Sequence, residues 1–274
     1  QARQERDRRL ARLPRPEDAA AVWSWWGLQP LAFWSPLVRL PAGSWTTEAV
    51  SLPQQNAAAG GTWVQLPRQH GICSVPLRRE PGLTSCAAEP RQAVVITSLG
   101  AGAWRVGNGL IELDVSSAGL LALRDRDGRD QLSSSLQLER YRDRDEFWDA
   151  WDLAADYRSQ PLGVLCTDSL EWLDRGPLVA HLVLRRQLGA SCMRLDLRLK
   201  ADTPWLELIC GIDWRQTHEL LRLELPLATP AVRIAADTSG GVIERPAAPM
   251  TAREQARWEV PVISWFASQS AAPG

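Results

Sequence analysis

The densest cluster of groups that could do chemistry in this sequence lies between Arg140 and Asp152. It contains an indole between carboxylates, in the order Asp149, Trp151 and Asp152. Carboxylates accept hydrogen bonds from hydroxyl groups and an aromatic face stacks on a sugar ring, so the cluster could bind a carbohydrate. To act as the general acid of a glycosidase, one of these carboxyl groups would also need a pKa that is raised by apolar neighbours. The alternative is a charged loop anchored by its tryptophans, and composition alone favours that alternative.

A second cluster surrounds Arg245, in the segment 240–246, where Glu244 precedes it directly. The guanidinium group presents a rigid fork of donors that suits vicinal hydroxyls or a carboxylate. The pair therefore predicts either an ion pair across strands or, at the edge of a cleft, a clamp on sugar hydroxyls. From spacing alone the structural alternative is favoured.

Several classes of function are excluded by what the sequence lacks. His70, His181 and His218 lie far apart and have no metal-ligand spacing. There is no Ser-nucleophile motif, no P-loop and no dinucleotide fingerprint. The formal net charge is -1, from 31 basic and 32 acidic side chains, which gives no electrostatic basis for binding nucleic acid or an anionic membrane. No apolar run approaches the ~20 residues that cross a bilayer.

The five cysteines are typical of a protein in a reducing compartment and not of a disulfide-bonded one. Their number is odd and no C-x-x-C pair occurs, which predicts reduced, buried thiols and a cytoplasmic protein. The 14 tryptophans against three phenylalanines suit either a sandwich core or sugar-stacking surfaces, and the core is favoured because indoles are mostly buried.

The elements that must position these groups read as β-strands. Met193, Leu195, Leu197 and Leu199 alternate with polar residues, which predicts a half-buried antiparallel strand. The Asp-Gly pair at 127–128 follows an apolar run and is a turn signal. Further strand-like runs occur at 62–66, 109–115, 181–184, 205–209 and 221–225. Strands at short intervals without convincing helices between them predict a β-sandwich.

The first 45 residues have a different composition. Residues 3–13 are rich in arginine and predict a short helix or helix remnant, which Pro14 and Pro16 end. Residues 23–45 carry six large aromatic side chains separated by prolines, and we interpret them as a connector that merges into a first strand.

Five short motifs, taken in order, resemble the C-terminal half of family 38 α-mannosidases. The family pattern that corresponds to residues 147–153 is "FDAWDI", and Trp148 replaces the usual acid in this sequence. The pattern that corresponds to 241–246 and 254–261 is "GxIERP" followed by "(D/E)xARFEVP". Segment 33–37 loosely resembles a further strand start, so the resemblance covers roughly residues 30–266. The five motifs are VGNGLIEL at 106–113, LALRDRDGR at 121–129, FWDAWDL at 147–153, LICGIDW at 208–214, and GVIERP at 241–246 with EQARWEVP at 254–261.

The resemblance implies a retaining exo-glycosidase that releases mannose from α-linked ends. In such enzymes an N-terminal β/α barrel carries the Asp nucleophile, a second acid and a zinc ion that holds sugar hydroxyls. This sequence has neither the His-x-Asp nor the His-His-Asp motif of that region. No catalytic residue and no metal ligand are therefore expected here. Zinc is expected in a catalytic barrel, in the same chain or a separate one, which is the implied partner together with a carbohydrate.

The resemblance also implies a site. In the family the sandwich reaches the rim of the barrel's active site, so Asp149, Trp151, Asp152 and Arg245 are predicted to line the sugar pocket of an intact enzyme. The family pattern continues beyond Trp265 into strands that have no counterpart in residues 268–274. We therefore expect a fragment that supports the barrel, completes its pocket and is inactive alone.

The predicted fold is all-β: a large antiparallel, galactose mutarotase-like supersandwich, preceded by a smaller β region and the helix remnant. The predicted divisions are 1–29 for the remnant and connector, 30–100 for the small β region, 101–267 for an incomplete large sandwich, and 268–274 for a tail. Two alternatives stay open. One is an autonomous carbohydrate-binding module with Trp148 and Trp151 as a platform, and the other is a truncated gene product without function.

Overall fold

The computed structural model describes residues 22–29, 35–47, 50–68, 71–80, 88–144, 152–257 and 259–271. Strands account for 57% of the described residues and helix for 3%, and the sheets are antiparallel. The predicted all-β class is thus confirmed. The predicted helix remnant at 3–13 lies outside the described residues.

The first ten strands are β1 (Val22–Gln29), β2 (Leu37–Leu40), β3 (Ser44–Thr47), β4 (Val50–Ser51), β5 (Gln54–Asn56), β6 (Thr62–Gln65), β7 (Gly71–Glu80), β8 (Val95–Gly100), β9 (Ala103–Gly107) and β10 (Ile111–Ser116). The next are β11 (Gly119–Asp125), β12 (Gln137–Arg142), β13 (Pro161–Val164), β14 (Ser169–Arg175), β15 (Val179–Leu188), β16 (Ser191–Lys200), β17 (Leu206–Asp213), β18 (Glu219–Glu224), β19 (Ala231–Thr238), β20 (Gly241–Pro246) and β21 (Phe266–Ser270). A 3-10 turn at Tyr157–Ser159 and a short helix, α1 (Ala252–Gln255), complete the described elements.

The described residues divide into two compact units. The first unit holds the residues up to Val95 together with Trp172–His181 and Arg198–Leu206, and the second unit holds the remainder. The first unit is therefore not one continuous stretch of sequence. The linear boundaries at residues 30, 101 and 268 stay predictions. Strand β1 lies in the stretch that the sequence suggested was a connector.

The first unit is built around a small two-sheet core. One sheet has the order β1-β7-β3-β4 and the other β2-β6-β5. Trp45 lies fully buried between them, and its indole N–H is paired because it donates to the Pro41 carbonyl at 2.9 Å. The other buried members of this core are Leu52, Val64, Leu66, Val75 and Leu77.

In the same unit, the side chain of Gln55 makes hydrogen bonds to backbone groups of Leu178 and Val179. The Gln55 Oε1 atom accepts hydrogen bonds from the Leu178 and Val179 amides at 2.9 and 2.8 Å, and its Nε2 donates to the Val179 carbonyl at 3.1 Å. Gly176 leaves the room for it, because a Cβ atom there would lie 2.3 Å from the Gln55 Cδ atom. An alanine at this position would displace the Gln55 side chain.

The second unit contains three sheets of its own, with the orders β11-β10-β9-β8, β13-β12-β18 and β20-β19-β21. A further sheet has the order β14-β15-β16-β17. Leu138, Leu165 and Met193 form a buried cluster, against which Trp214 and Leu221 pack. Sheet β13-β12-β18 thus covers β16 as one layer of a sandwich covers the next.

Strand β16 has the alternation that the sequence predicted. Met193, Leu195, Leu197 and Leu199 are all buried. The opposite side is not fully open to solvent, because Asp196 is also buried and forms an ion pair with Arg194 at 2.6 Å. The strand is therefore covered more than a half-buried strand would be.

The Asn-Gly motif at 108–109 forms the turn between β9 and β10. The buried Asn108 carboxamide oxygen accepts hydrogen bonds from the Leu110 and Ile111 amides at 3.0 and 3.1 Å. Gly109 has a φ of +74°, a conformation that costs glycine little. The first of the five family-like motifs, at 106–113, thus has a structural explanation.

The prediction of buried thiols was wrong for the cysteines that can be assessed. Cys166, Cys192 and Cys210 are free and exposed. Where the chain is described, no helix has the length and apolar composition needed to span a bilayer.

Candidate functional site

Two of the four predicted sugar-site residues can be placed. Asp149 and Trp151 lie outside the described residues, as does Trp148, on which the binding-module alternative depends. Asp152 is exposed, and its carboxylate accepts a hydrogen bond from the Leu153 amide at 2.9 Å. Within the described ranges the structure gives no hydrogen bond or ion pair that joins Asp152 to Arg245. The assignment of these residues to a sugar pocket stays a prediction.

Arg245 lies on β20 opposite Ile234 of β19. Its side chain is partly buried, and its Nε atom is shielded from solvent without a hydrogen-bond partner among the described residues. The neighbouring Glu244 instead forms an ion pair with Arg233 of β19 at 3.3 Å. The cross-strand ion pair that the sequence suggested for this motif therefore uses Glu244 but not Arg245.

A polar pocket of about 470 Å³ opens on the second unit beside strands β12 and β18. These strands pair antiparallel, with Glu139 opposite Arg222. Because side chains alternate along a strand, Leu138 and Leu221 pack into the core while their neighbours line the pocket. We call this the charged pocket, and its lining residues are Ser134, Ser135, Gln137, Glu139, Tyr141, Arg158, Arg222, Glu224 and Pro226.

Arg222 is the centre of the charged pocket. Its Nε atom lies 3.1 Å from a Glu224 carboxylate oxygen, and its Nη1 atom lies 3.7 Å from a carboxylate oxygen of Glu259. The guanidinium group also lies 5.3 Å from the Tyr157 ring centroid and donates to the Tyr157 hydroxyl. Tyr157 in turn donates to Glu259, which belongs to the last of the family-like motifs.

The tyrosines of this network are held in the protonated state. A hydrogen bond to the Glu139 carboxylate, with a smaller effect of burial, raises the pKa of Tyr141 to about 12. Burial, followed by the hydrogen bond to Glu259, raises the pKa of Tyr157. Both hydroxyls therefore remain neutral donors at physiological pH, and neither is prepared to act as a base.

The lining of the charged pocket is suited to binding polar groups. Its carboxylates are engaged by Tyr141 and Arg222, so they suit fixed recognition of hydroxyls better than proton transfer. Across the described residues, no group of three or more His, Cys, Asp and Glu side chains could hold a metal ion. That the zinc implied by the family is held by the catalytic barrel and not by this chain stays a prediction.

Sequence reasoning missed the charged pocket. Glu139, Arg222 and Glu224 occur in runs that read only as alternating strands, and their partnership depends on which strands pair. The signal that could have found it is the polar alternation in 137–141 and 222–224 on two neighbouring strands. Helix α1 explains another motif residue, because Glu254 accepts from the Thr251 amide at 3.0 Å in a capping box.

The last sheet of the second unit, β20-β19-β21, carries many exposed apolar side chains. Adjacent residues of a strand point to opposite sides, and Val242 and Ile243 are 60% and 36% exposed. Neither side of β20 is therefore fully covered by the described residues. We call the following set the apolar surface: Val232, Val242, Ile243, Val262, Ile263, Trp265 and Phe266.

Comparison with known proteins assigns the chain to a family. Residues 106–274 match the family model described as "Glycosyl hydrolases family 38 C-terminal domain". No curated protein matches the chain. The fold is similar to that of an alpha-mannosidase from Enterococcus faecalis V583, with a TM-score of 0.51 and 11% identity over 84% of this chain and 32% of that one.

The chain thus spans about a third of that enzyme's length, and at this identity the likeness concerns the fold alone. The family match covers more than half of the chain and includes the five motifs that carried the resemblance. The resemblance is confirmed. The chain belongs to glycosyl hydrolase family 38 and contains its C-terminal domain.

Proposed function

We propose that this chain is the C-terminal portion of an α-mannosidase that hydrolyses terminal α-linked mannose with retention. Its work is to support the catalytic barrel and to complete the sugar pocket, and it is inactive alone. The observation that carries the proposal is the family match over residues 106–274. In the two-step reaction, the nucleophile and the acid would come from the barrel.

The apolar surface favours the proposed role of this chain in supporting the catalytic barrel. Exposed apolar patches on soluble proteins mark protein–protein interfaces, and Phe266 and Ile263 are more than half exposed. Burial of such side chains against another domain is favourable at roughly 25 cal/mol per Å². The barrel is the partner that the family assignment implies, so we assign the apolar surface to barrel docking.

The position of Arg245 favours the proposed role of this chain in completing the sugar pocket. It lies on the same strand as Val242 and Ile243, and its shielded Nε has no acceptor within the described residues. A guanidinium group at the edge of a docking surface can donate to sugar hydroxyls across that edge. Asp152 would accept from hydroxyls in the same way.

Activity measurements test the catalytic part of the proposal. The purified chain should give no turnover of an aryl α-mannoside with or without zinc, and measurable turnover would overturn the proposal. In the intact enzyme, Arg245→Ala should lower kcat/KM by roughly tenfold or more, as loss of a charge-assisted hydrogen bond does. Arg233→Ala, on the neighbouring strand, is the control and should have little effect.

Docking is tested with two matched valines. Val242→Ser removes apolar area from the apolar surface, whereas Val50→Ser removes it from β4 in the first unit, where the valine is similarly exposed at 61%. Val242→Ser should weaken association with the barrel and reduce self-association of the isolated chain. Equal effects of both variants, measured by analytical ultracentrifugation, would contradict the assignment of the apolar surface.

A further inference from the structure

Arg186 occupies a position where the strand pattern requires an apolar residue. It lies on β15, two residues beyond Leu184 and four beyond Leu182, and so points to the same side of the strand as these buried leucines. Its own side chain is buried as well, with 4% of the residue exposed. Arginine is almost never buried to this extent unless it is paired.

The partners of Arg186 within the described residues are too few for a buried cation. Its Nε donates to the Leu165 carbonyl at 3.2 Å, and its Nη1 is shielded from solvent without a partner. No ion pair involves Arg186 in the described ranges, although Cys210, Cys166 and Asp168 act on it from a greater distance. A guanidinium group has five N–H donors, and a buried charge is costly unless it is paired. Burial accordingly lowers the pKa of Arg186.

Arg186 is part of the wall of a pocket of about 420 Å³. The Thr167 hydroxyl, in the same wall, is also shielded and has no partner among the described residues. Leu136, Leu138 and Val164 supply apolar lining. A pocket of this volume, with a few convergent polar groups in an apolar wall, has the size and composition of a small-ligand site.

We propose that this pocket binds a carboxylate that is attached to a short apolar body, with Arg186 as the anchor. A carboxylate matches the guanidinium fork with two parallel hydrogen bonds. A single cation in an apolar wall suits a monoanion better than a phosphate dianion, whose second charge would be desolvated without compensation. The carboxylate comes from a free small acid or from an Asp or Glu side chain of another protein segment. The site does not depend on the proposed mannosidase function.

Calorimetric titration of the purified 274-residue chain tests the proposal. Sodium butyrate represents the free acid, N-acetyl-glutamate amide represents a protein side chain, and inorganic phosphate is the comparison anion, all at constant ionic strength in chloride. Wild type should bind butyrate or the glutamate probe more tightly than phosphate. The tighter of the two carboxylates identifies the source.

Three arginine variants locate the binding. Arg186→Met keeps the side-chain volume and should weaken carboxylate binding by roughly tenfold or more, while its melting temperature is maintained or raised because an unpaired buried charge is removed. Arg186→Lys keeps the charge without the fork and should give an intermediate affinity. Arg185→Met is the matched control, because Arg185 points to the other side of β15, where it pairs with Glu171 at 3.6 Å, and it should bind as wild type does.

Two results would place carboxylate binding elsewhere or exclude it, and a third would contradict the ligand class. One is the absence of carboxylate binding by a folded wild-type chain. The other is unchanged carboxylate affinity in a folded Arg186→Met variant, which would place binding elsewhere. Preference for phosphate over both carboxylates in the wild type would also contradict the assigned ligand class.

Discussion

The core of the first unit and the last sheet of the second unit are built from similar β-strands but end in opposite states of burial. Trp45 and Val64 have no exposed surface, whereas Val242 and Phe266 are about three-fifths exposed. In the first unit two sheets face each other and bury each other's apolar side chains. The described residues give sheet β20-β19-β21 no comparable second layer. Strand composition thus specifies a sheet, but burial depends on whether a second surface is present.

Polar contacts hold the last sheet where apolar packing is sparse. The Asp237 carboxylate accepts hydrogen bonds from the Ser264 and Trp265 amides at 2.9 and 3.0 Å, and from the Ser264 hydroxyl. These contacts fix the segment that leads into β21. The first unit relies instead on a continuous apolar core, so the two regions should respond differently to the same kind of mutation.

The largest contrast is expected between two tryptophans. Trp45→Ala should destabilise the chain by about 3–5 kcal/mol, because it empties a fully buried site. Trp265→Ala should cost less than about 1 kcal/mol, since that indole is 44% exposed. Urea unfolding followed by circular dichroism measures both. Comparable losses would mean that the last sheet is as well packed as the first core.

A glycine pair gives the next largest effect. Gly176→Ala should cost about 2 kcal/mol, because its Cβ would displace a Gln55 side chain that three hydrogen bonds hold in place. Gly211→Ala, on β17, is the control: no heavy atom lies within 4 Å of its new Cβ. We expect it to be neutral or stabilising by up to about 0.5 kcal/mol. A neutral Gly176→Ala would indicate that Gln55 can move freely.

The smallest expected effect is a loss of stability at acidic pH through protonation of Asp237. Hydrogen bonds from the Ser264 side chain and backbone, and from the Trp265 backbone, lower the pKa of Asp237 from 3.8 to about 2. A depressed folded-state pKa contributes stability that is complete above pH 4 and is lost as the pH falls toward 2. Asp237→Asn should therefore be less stable than wild type at pH 6, with a difference that shrinks between pH 4 and pH 2.

Thermal unfolding across that pH range measures the difference. The control is Glu89→Gln, an exposed residue of the first unit, and its unfolding temperature should follow wild type throughout. A gap between Asp237→Asn and wild type that persists at pH 2 would show that Asp237 acts through packing and not through its charge.

The features that sequence alone predicted are those set by local pattern. The alternation at Met193–Leu199 predicted the apolar side of β16, and the strand-like run at 109–115 predicted β10, which follows the Asn108 turn. The charged pocket was missed because Glu139 and Arg222 meet only through the register of β12 with β18, which no local pattern encodes. Arg186 was missed because it reads as one more polar residue until its burial is known. Arg245 and Asp152 were named from the family resemblance, and their role stays a prediction.

The thiols that the structure describes as exposed have a practical consequence for handling the protein. Cys166, Cys192 and Cys210 give each copy several points at which air oxidation could join it covalently to another copy, so aggregates formed without a reductant need not arise from the apolar surface. Although Cys210 is exposed, partial desolvation of its thiol raises its pKa, which keeps the thiolate scarce and slows alkylation at neutral pH. A maleimide dye would therefore label this thiol slowly, and the kinetics of labelling could report when a second domain covers strand β17.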